Sequence, residues 1–371
     1  MNYSYWEHKH WISNIDYLVI GSGIVGLNCA LQLKKKHPKA KIIIIEKGVL
    51  PQGASTKNAG FACFGSLSEL IDDLKTHSES EVLELVTQRI KGLKKLRKTL
   101  GDKNLKYKVH GGYELFQNKD QHLFEECQFH KNHINQLLNP IFKANVFSEV
   151  QNKFGYKQVN DTMILNQFEG QIDTGSMMAS LLKLAAKNNI KILNNCGVEA
   201  IEDGIDSVRV KTNNFDLKAH KVFVATNGFA SKLLNESVKP ARAQVLITKP
   251  IKDLAIKGTF HLDQGYYYFR NINNRILFGG GRNLDFKAEE TTSFDQTELI
   301  QNKLETLLKT IILPDTRFEI DYRWSGVMGV GSQKKPILKQ VSNNIFCGVR
   351  LGGMGVAIGT LVGKELAELL K

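Results

Sequence analysis

Apolar residues along this chain fall into two kinds of run. The short unbroken runs at Leu18-Val19-Ile20, 42–45, 221–225 and 345–349 have the continuity of strands buried on both faces of a parallel sheet. Other segments repeat apolar residues at helical spacing: 24–36, which stops before Pro38, most of 66–100, 121–138 closed by Asn139-Pro140, 176–187 behind an Asp173 cap, 298–310, and a last helix reaching Leu370. Further strands are predicted at 190–193, 198–202 and 208–211, and residues 110–116 read as a turn entering a strand. From 242–249 and 265–278 the pattern is β. There, alternation places Tyr266, Tyr268 and Arg270 on one face and Tyr267 and Phe269 on the other, with a hairpin loop at 271–274. Residues 1–14 carry Tyr3, Tyr5, Trp6 and Trp11 and are expected to pack as an aromatic lid.

The first apolar run leads into Gly21-Ser22-Gly23-Ile24-Val25-Gly26, a glycine turn that opens a helix. Such a helix start points backbone N–H groups and the positive end of its dipole at a phosphate. The second run ends in Glu46, twenty residues after Gly26, where a ribose-binding acid belongs. Residues 48–65 form a long loop of small residues suited to backbone lying close to a ligand. The end of the chain repeats the opening device, a strand, a glycine turn at 352–355 and a helix. Together these predict an α/β fold: a split Rossmann-like nucleotide domain (1–75, 150–240 and 320–371) and an α+β substrate domain with an antiparallel sheet (76–149 and 241–319).

Composition changes this picture little, and charge somewhat more. Hydrophobic content of 42% and charged content of 23% are ordinary for a globular chain, and the formal net charge is +13. Residues 89–108 hold nine basic residues and one acid, Asp102, which predicts an amphipathic helix with a basic outer face and a possible site of membrane-surface contact. No aromatic residue interleaves with these bases before Tyr107, so no stable nucleic-acid complex is expected. Five scattered cysteines without a C-x-x-C spacing argue against a disulfide framework or a metal site. With no signal peptide and no run of membrane-spanning length, the expected location is the cytoplasm, at most peripheral to a membrane.

Five landmarks in order carry a family resemblance: the 21–26 turn with Glu46, the loop from Gly53 to Gly60, Ala225-Thr226-Asn227-Gly228, the Tyr268-Phe269-Arg270 strand leading to Gly279-Gly280, and the terminal glycine turn. In these the chain resembles the FAD-dependent D-amino-acid oxidase superfamily, with its closest look to the gamma-glutamylputrescine oxidase-like branch. The resemblance implies FAD. Its contacts would come from Gly21, Ser22, Gly23, Ile24, Val25, Gly26, Glu46 and Lys47; from Ala54, Ser55, Thr56, Asn58, Ala59 and Gly60; from Val198, Thr226, Asn227 and Gly228; and from Gly353, Met354, Gly355 and Val356. The 48–65 loop has no histidine to tether a flavin, so the FAD is expected to be non-covalent; Cys63 is the one thiol nearby.

The resemblance also implies oxidation of the C–N bond of an amine or amino acid by hydride transfer to the flavin, the electrons passing to oxygen or another acceptor. Tyr268, Arg350 and Lys57 are the catalytic candidates, and Tyr266, Arg270 and Arg282 the substrate-binding ones. An arginine in such a place can clamp a carboxylate bidentately. The alternative is a 2-hydroxy-acid or glycerol-phosphate dehydrogenase of the same fold that reduces a quinone. No metal site is expected, and no H-E-x-x-H or G-x-S-x-G is present.

Overall fold

The apolar runs pair as their continuity requires. The computed structural model describes residues 2–370. Strand Ile15–Ile20 lies between Ile42–Ile45 and Asp216–Val224, parallel to both, and Asp216–Val224 in turn runs parallel to Ile345–Val349. Lys191–Leu193 and the antiparallel Ile337–Gln340 close the two edges, and a ribbon of Val198–Asp203 and Val208–Thr212 branches from Asp216–Val224. Alternate residues of each strand feed two cores. Val19, Ile44, Phe223 and Phe346 pack under helices Ile24–Lys36, Thr174–Lys187 and Gly355–Glu368. Leu18, Ile20, Ile43 and Val222 face the ribbon on the other side. Burial on both faces is why these strands carry no polar alternation.

The second sheet also has eight strands, in the order Ile320–Val330, Lys239–Thr248, Arg275–Gly280, Tyr267–Ile272, Thr259–Leu262, Gly112–Leu115, Thr162–Asn166 and Phe147–Gln151. All neighbours are antiparallel except Thr259–Leu262 with Gly112–Leu115. One face is an aromatic core in which Phe260 and Phe269 stack at 4.5 Å and Phe278 meets Phe269 edge-on, covered by helix Glu298–Leu307. The other face looks toward the nucleotide-binding layer. The hairpin turn is tighter than 271–274: Asn273 and Asn274 alone make it, both left-handed, as a two-residue turn matching strand twist requires.

Packing redraws the domain boundaries expected from sequence. Strands 147–151 and 162–166, the latter placed in the nucleotide domain, pair in the second sheet, as does Ile320–Val330. Helix Glu79–Leu100 was assigned to the substrate domain, yet Leu93, Leu96 and Leu100 join the core of the nucleotide layer against Gly355–Glu368. Its basic face is also less uniform than the sequence suggests. Arg89 is buried and donates to the Phe64 carbonyl at 2.8 Å, Arg97 pairs with Asp102 and stacks on Tyr107, and Lys106 pairs with Asp173. The 121–138 helix does not stop at Asn139-Pro140; it runs Gln121–Phe142 and ends at left-handed Lys143. Pro140 lies in the last turn, so the bond it cannot donate is lost next to the helix end at Lys143 and not in its middle. The N-terminal aromatics form no lid: Tyr3 meets Phe215 edge-on, while Tyr5 and Trp6 are exposed. No helix among the described residues is long and apolar enough to cross a membrane.

Candidate active site

A single cavity of about 740 Å³ runs between the two sheets, from the glycine turn at one end to the inner face of the second sheet at the other. At the first end the backbone is packed to contact. Gly21 is left-handed (φ +103°), and a Cβ there would sit 2.9 Å from the Ala225 carbonyl oxygen; a Cβ on Gly26 would sit 1.9 Å from the Gly21 carbonyl oxygen. The turn opens helix Ile24–Lys36 at Gly23, which caps it with no side chain, so the helix start faces the cavity. Ser55 Oγ reaches in to accept from Ile24 N at 2.9 Å. Glu46 is buried at the cavity wall, where its carboxylate accepts from Ser22 Oγ (2.8 Å), Ser22 N (3.1 Å) and Gly48 N (3.2 Å).

Three further segments complete this end. Thr226 lines the cavity with its hydroxyl buried and without a hydrogen-bond partner among the described residues. An orphaned hydroxyl beside a helix start, where Ser55 Oγ takes the Ile24 N–H and no side chain caps from Gly23, is what an anionic ligand would satisfy. Asn227 Oδ1 accepts from Leu351 N at 3.1 Å and ties the middle loop to the terminal glycine turn. Helix Gly355–Glu368 starts at the cavity with Met354 at its cap and no capping side chain. Lys47 and Val198 lie on the wall beside Glu46, the Lys47 ammonium 3.5 Å from the centre of the Phe229 ring.

Most residues singled out from sequence as cofactor contacts, from Gly21 through Val356, line this cavity. Ser22, Gly26, Thr56 and Gly228 do not. Ser22 serves Glu46, Gly26 lets the helix close on the turn, Thr56 donates to the Pro51 carbonyl at 2.7 Å, and Gly228 packs on the Met328 carbonyl. Asn58 is at the wall but spends its side chain on its own loop: Nδ2 donates to Ser55 O (2.8 Å) and Oδ1 accepts from Gly60 N (2.9 Å) and Thr174 Oγ1 (2.9 Å).

At the far end the sheet register sets the chemistry. Glu114, His261, Tyr268, Gly279, Val245 and Trp324 are successive cross-strand partners, so they form one row on the inner face. Gly279 leaves room for the Tyr268 ring to lie across it, since a Cβ there would sit 2.8 Å from the ring. Burial pushes the Tyr268 phenol up to about 12, which keeps it a neutral hydrogen-bonding group. Trp324 Nε1 donates to the Lys57 carbonyl at 2.9 Å and fixes the loop that carries Lys57 to the cavity wall. Tyr266 and Arg282 line the same end, Arg282 stacked on Phe286 at 4.8 Å.

Two arginines expected to reach the substrate are turned elsewhere. Arg270 shares the Tyr268 face but is buried behind Gly60, off the cavity wall, with Nε unpartnered. Burial pushes its guanidinium down to about 10, and Asp173 opposes this. Arg350 touches the wall, but its backbone is left-handed (φ +63°) and its guanidinium is held by carbonyls, donating to Lys335 O at 3.2 and 2.9 Å and to Ser237 O at 3.4 Å. It anchors the 331–336 loop. His261 and Glu69 on this wall were not anticipated. The one signal for His261 was a histidine in the short apolar run Thr259–Leu262, and its partner Glu169 lies 92 residues away.

A split parallel sheet with two helix starts facing one cavity, roofed by an antiparallel sheet, defines a flavin-dependent oxidoreductase, and the chain belongs to the family described as FAD dependent oxidoreductase, whose pattern matches residues 16–369. Among curated relatives, it is 21% identical to the probable oxidoreductase OrdL of Haemophilus influenzae, over 97% of this chain and 83% of that one, and 24% identical to the gamma-glutamylputrescine oxidoreductase of Escherichia coli, over 96% and 83%. Among solved structures, glycine oxidase from Geobacillus kaustophilus superposes with a TM-score of 0.76 at 17% identity, over 95% of this chain and 94% of that one. FAD is therefore the group the cavity holds, and the orphaned Thr226 hydroxyl, the two helix starts facing the cavity and the closely packed glycines fit it.

Proposed function

We propose that this enzyme oxidises the C–N bond of an amine or amino acid. The observation that carries the reading is the continuity of one cavity from the dinucleotide cradle to a roof of Tyr266, Tyr268 and His261. A substrate held under that roof lies beside the terminal glycine turn, where the reactive ring is expected. When bound, FAD would supply the hydride acceptor for the carbon that bears nitrogen. An ammonium substrate would first lose a proton to solvent, and the iminium left by hydride loss would add water and release a carbonyl compound together with an amine or ammonia. The chain's own part is positional. Tyr268 offers a neutral hydroxyl, Lys57 and Arg282 supply cations to the wall, and the apolar Phe61 and Met354 exclude water from the reacting carbon. Names among the relatives, an oxidoreductase of gamma-glutamylputrescine and an oxidase of glycine, support nitrogen-bearing substrates. Oxygen or a quinone takes the electrons in turn.

The reading is tested by anaerobic mixing of the yellow protein with a panel of amines, amino acids and 2-hydroxy acids. Bleaching by a nitrogen compound and not by its hydroxy counterpart is expected; bleaching by the hydroxy acids alone would replace this reading with the quinone-linked dehydrogenase.

The cofactor is held without a covalent bond. The Cys63 thiol lines the cavity, but burial pushes its pKa well up, with Glu169 and Glu69 adding to the shift, so the nucleophilic thiolate is suppressed. Acid precipitation is expected to release all flavin into the supernatant; a yellow pellet would contradict this.

A further inference from the structure

His261 is buried, yet its ring lies on the cavity wall, edge-on to Phe61 and next to Tyr268 in the row across the sheet. Its Nε2 is fixed on the carboxylate of buried Glu169 at 2.8 Å. Its Nδ1 has no hydrogen-bond partner among the described residues. The ring is thus anchored at one nitrogen and presents the other.

We propose that His261, oriented by Glu169, is a substrate-recognition residue of this cavity that donates a hydrogen bond from Nδ1 to a carboxylate oxygen of the substrate. This rests on the reading above and narrows it to carboxylate-bearing amines. Arg270, the clamp expected from sequence, lies off the wall, and Arg350 is committed to loop carbonyls, so neither competes for that role.

The charges around the ring decide whether Nδ1 donates or accepts. Burial alone would strip the imidazolium of its proton. Glu169, through its charge and hydrogen bond, then Glu69 and Glu114, more than offset this and hold His261 at about 9. Glu69 is occupied at the start of its own helix, accepting from Ser66 N at 2.9 Å. Glu114, directly across from His261, accepts from Ser66 and Ser68, and burial raises its pKa. Tyr268, across the strand from His261, and Cys63 on the same cavity wall are both pushed toward their neutral forms. At neutral pH the ring is therefore an imidazolium with its second N–H free for an anion.

Calorimetric titration of the purified holoenzyme with acetate, and separately with methylammonium, tests this. In His261→Gln the amide nitrogen replaces Nε2, keeping the bond to Glu169 and deleting the Nδ1 donor. Acetate is expected to bind about tenfold more weakly to it, the weight of one hydrogen bond to a charged group. FAD content and methylammonium binding should be unchanged. Glu169→Gln keeps an acceptor but removes the charge. Its acetate binding should be lost as pH rises through about 6.5, the ordinary histidine range, rather than through the wild-type value of about 9. Unchanged acetate affinity in His261→Gln, or loss of methylammonium instead of acetate, would overturn the proposal. So would a pH profile that Glu169→Gln leaves in place. Because binding is read without turnover, these outcomes are separate from the bleaching test: a wild-type enzyme that bleaches with simple amines while His261→Gln binds acetate normally removes this proposal alone.

Discussion

Gly26→Leu is expected to give a colourless protein. A Cβ at residue 26 would lie 1.9 Å from the Gly21 carbonyl oxygen, and that oxygen belongs to backbone already held by its neighbours. Gly21 N donates to Ile45 O at 2.8 Å, and Gly21 itself packs against Ala225 O. Neither the turn nor the helix can move without opening the parallel sheet. The substitution therefore spreads the strand–turn–helix unit that presents the Ile24 helix start to the cofactor. Purified Gly26→Leu should retain less than about one-tenth of the flavin of the wild type, consistent with loss of one of the turn's required glycines. An absorbance ratio of 450 to 280 nm equal to that of the wild type would contradict it. Gly175→Ala is the control, since it lies off the cavity and a Cβ there would meet Asp173 Oδ1 at an ordinary 3.4 Å.

Glu289→Ala is expected to cost the second sheet about 3–5 kcal/mol, the penalty for leaving a buried charge alone. Arg242 and Glu289 are both buried, and the guanidinium holds the carboxylate through Nε (2.8 Å) and a second nitrogen (2.5 Å). Gln244 also donates to Glu289 at 3.0 Å, and its own oxygen accepts from Thr297 N at 2.9 Å and Gln301 Nε2 at 3.2 Å. The carboxylate thus pins strand Lys239–Thr248 to the segment that carries Glu289, and Gln244, held by it, ties the same strand to the start of the helix that covers the aromatic core. Urea denaturation reads the loss. Replacing both partners, Arg242→Met with Glu289→Leu, should recover most of it, because no uncompensated charge remains. A single substitution that costs less than about 1 kcal/mol would place the pair among surface-like bridges.

Much of the nucleotide end was legible because its signals are local. Residues 18–26 contain a complete strand, turn and helix start, and Glu46 follows within one βαβ unit, so spacing alone places them. The same holds for Tyr268, whereas Tyr266 precedes strand Tyr267–Ile272 and reaches the cavity from the turn before it. What escaped was decided by long-range pairing. Strands 147–151 and 162–166 are short, and what makes them strands is the pairing of 162–166 with Gly112–Leu115 and of 147–151 with 162–166. His261 gains meaning from Glu114 and Glu169, distant in sequence and adjacent only across the sheet. Arg270 and Arg350 show the other limit. Each sits beside the landmark that drew attention to it, but side-chain direction is fixed by what surrounds it. The Gly60 loop covers Arg270, and a left-handed backbone turns Arg350 toward the Lys335 carbonyl. Helix Glu79–Leu100 read correctly as amphipathic, but no periodicity reveals which layer its apolar face will join.

The proposed removal of a hydride from carbon bonded to nitrogen is tested by a single anaerobic turnover with products quantified against bleached flavin. One carbonyl product and one released amine or ammonia per FAD reduced are expected. Flavin that bleaches fully with a hydroxy acid and releases no nitrogen from any amine or amino acid would contradict it.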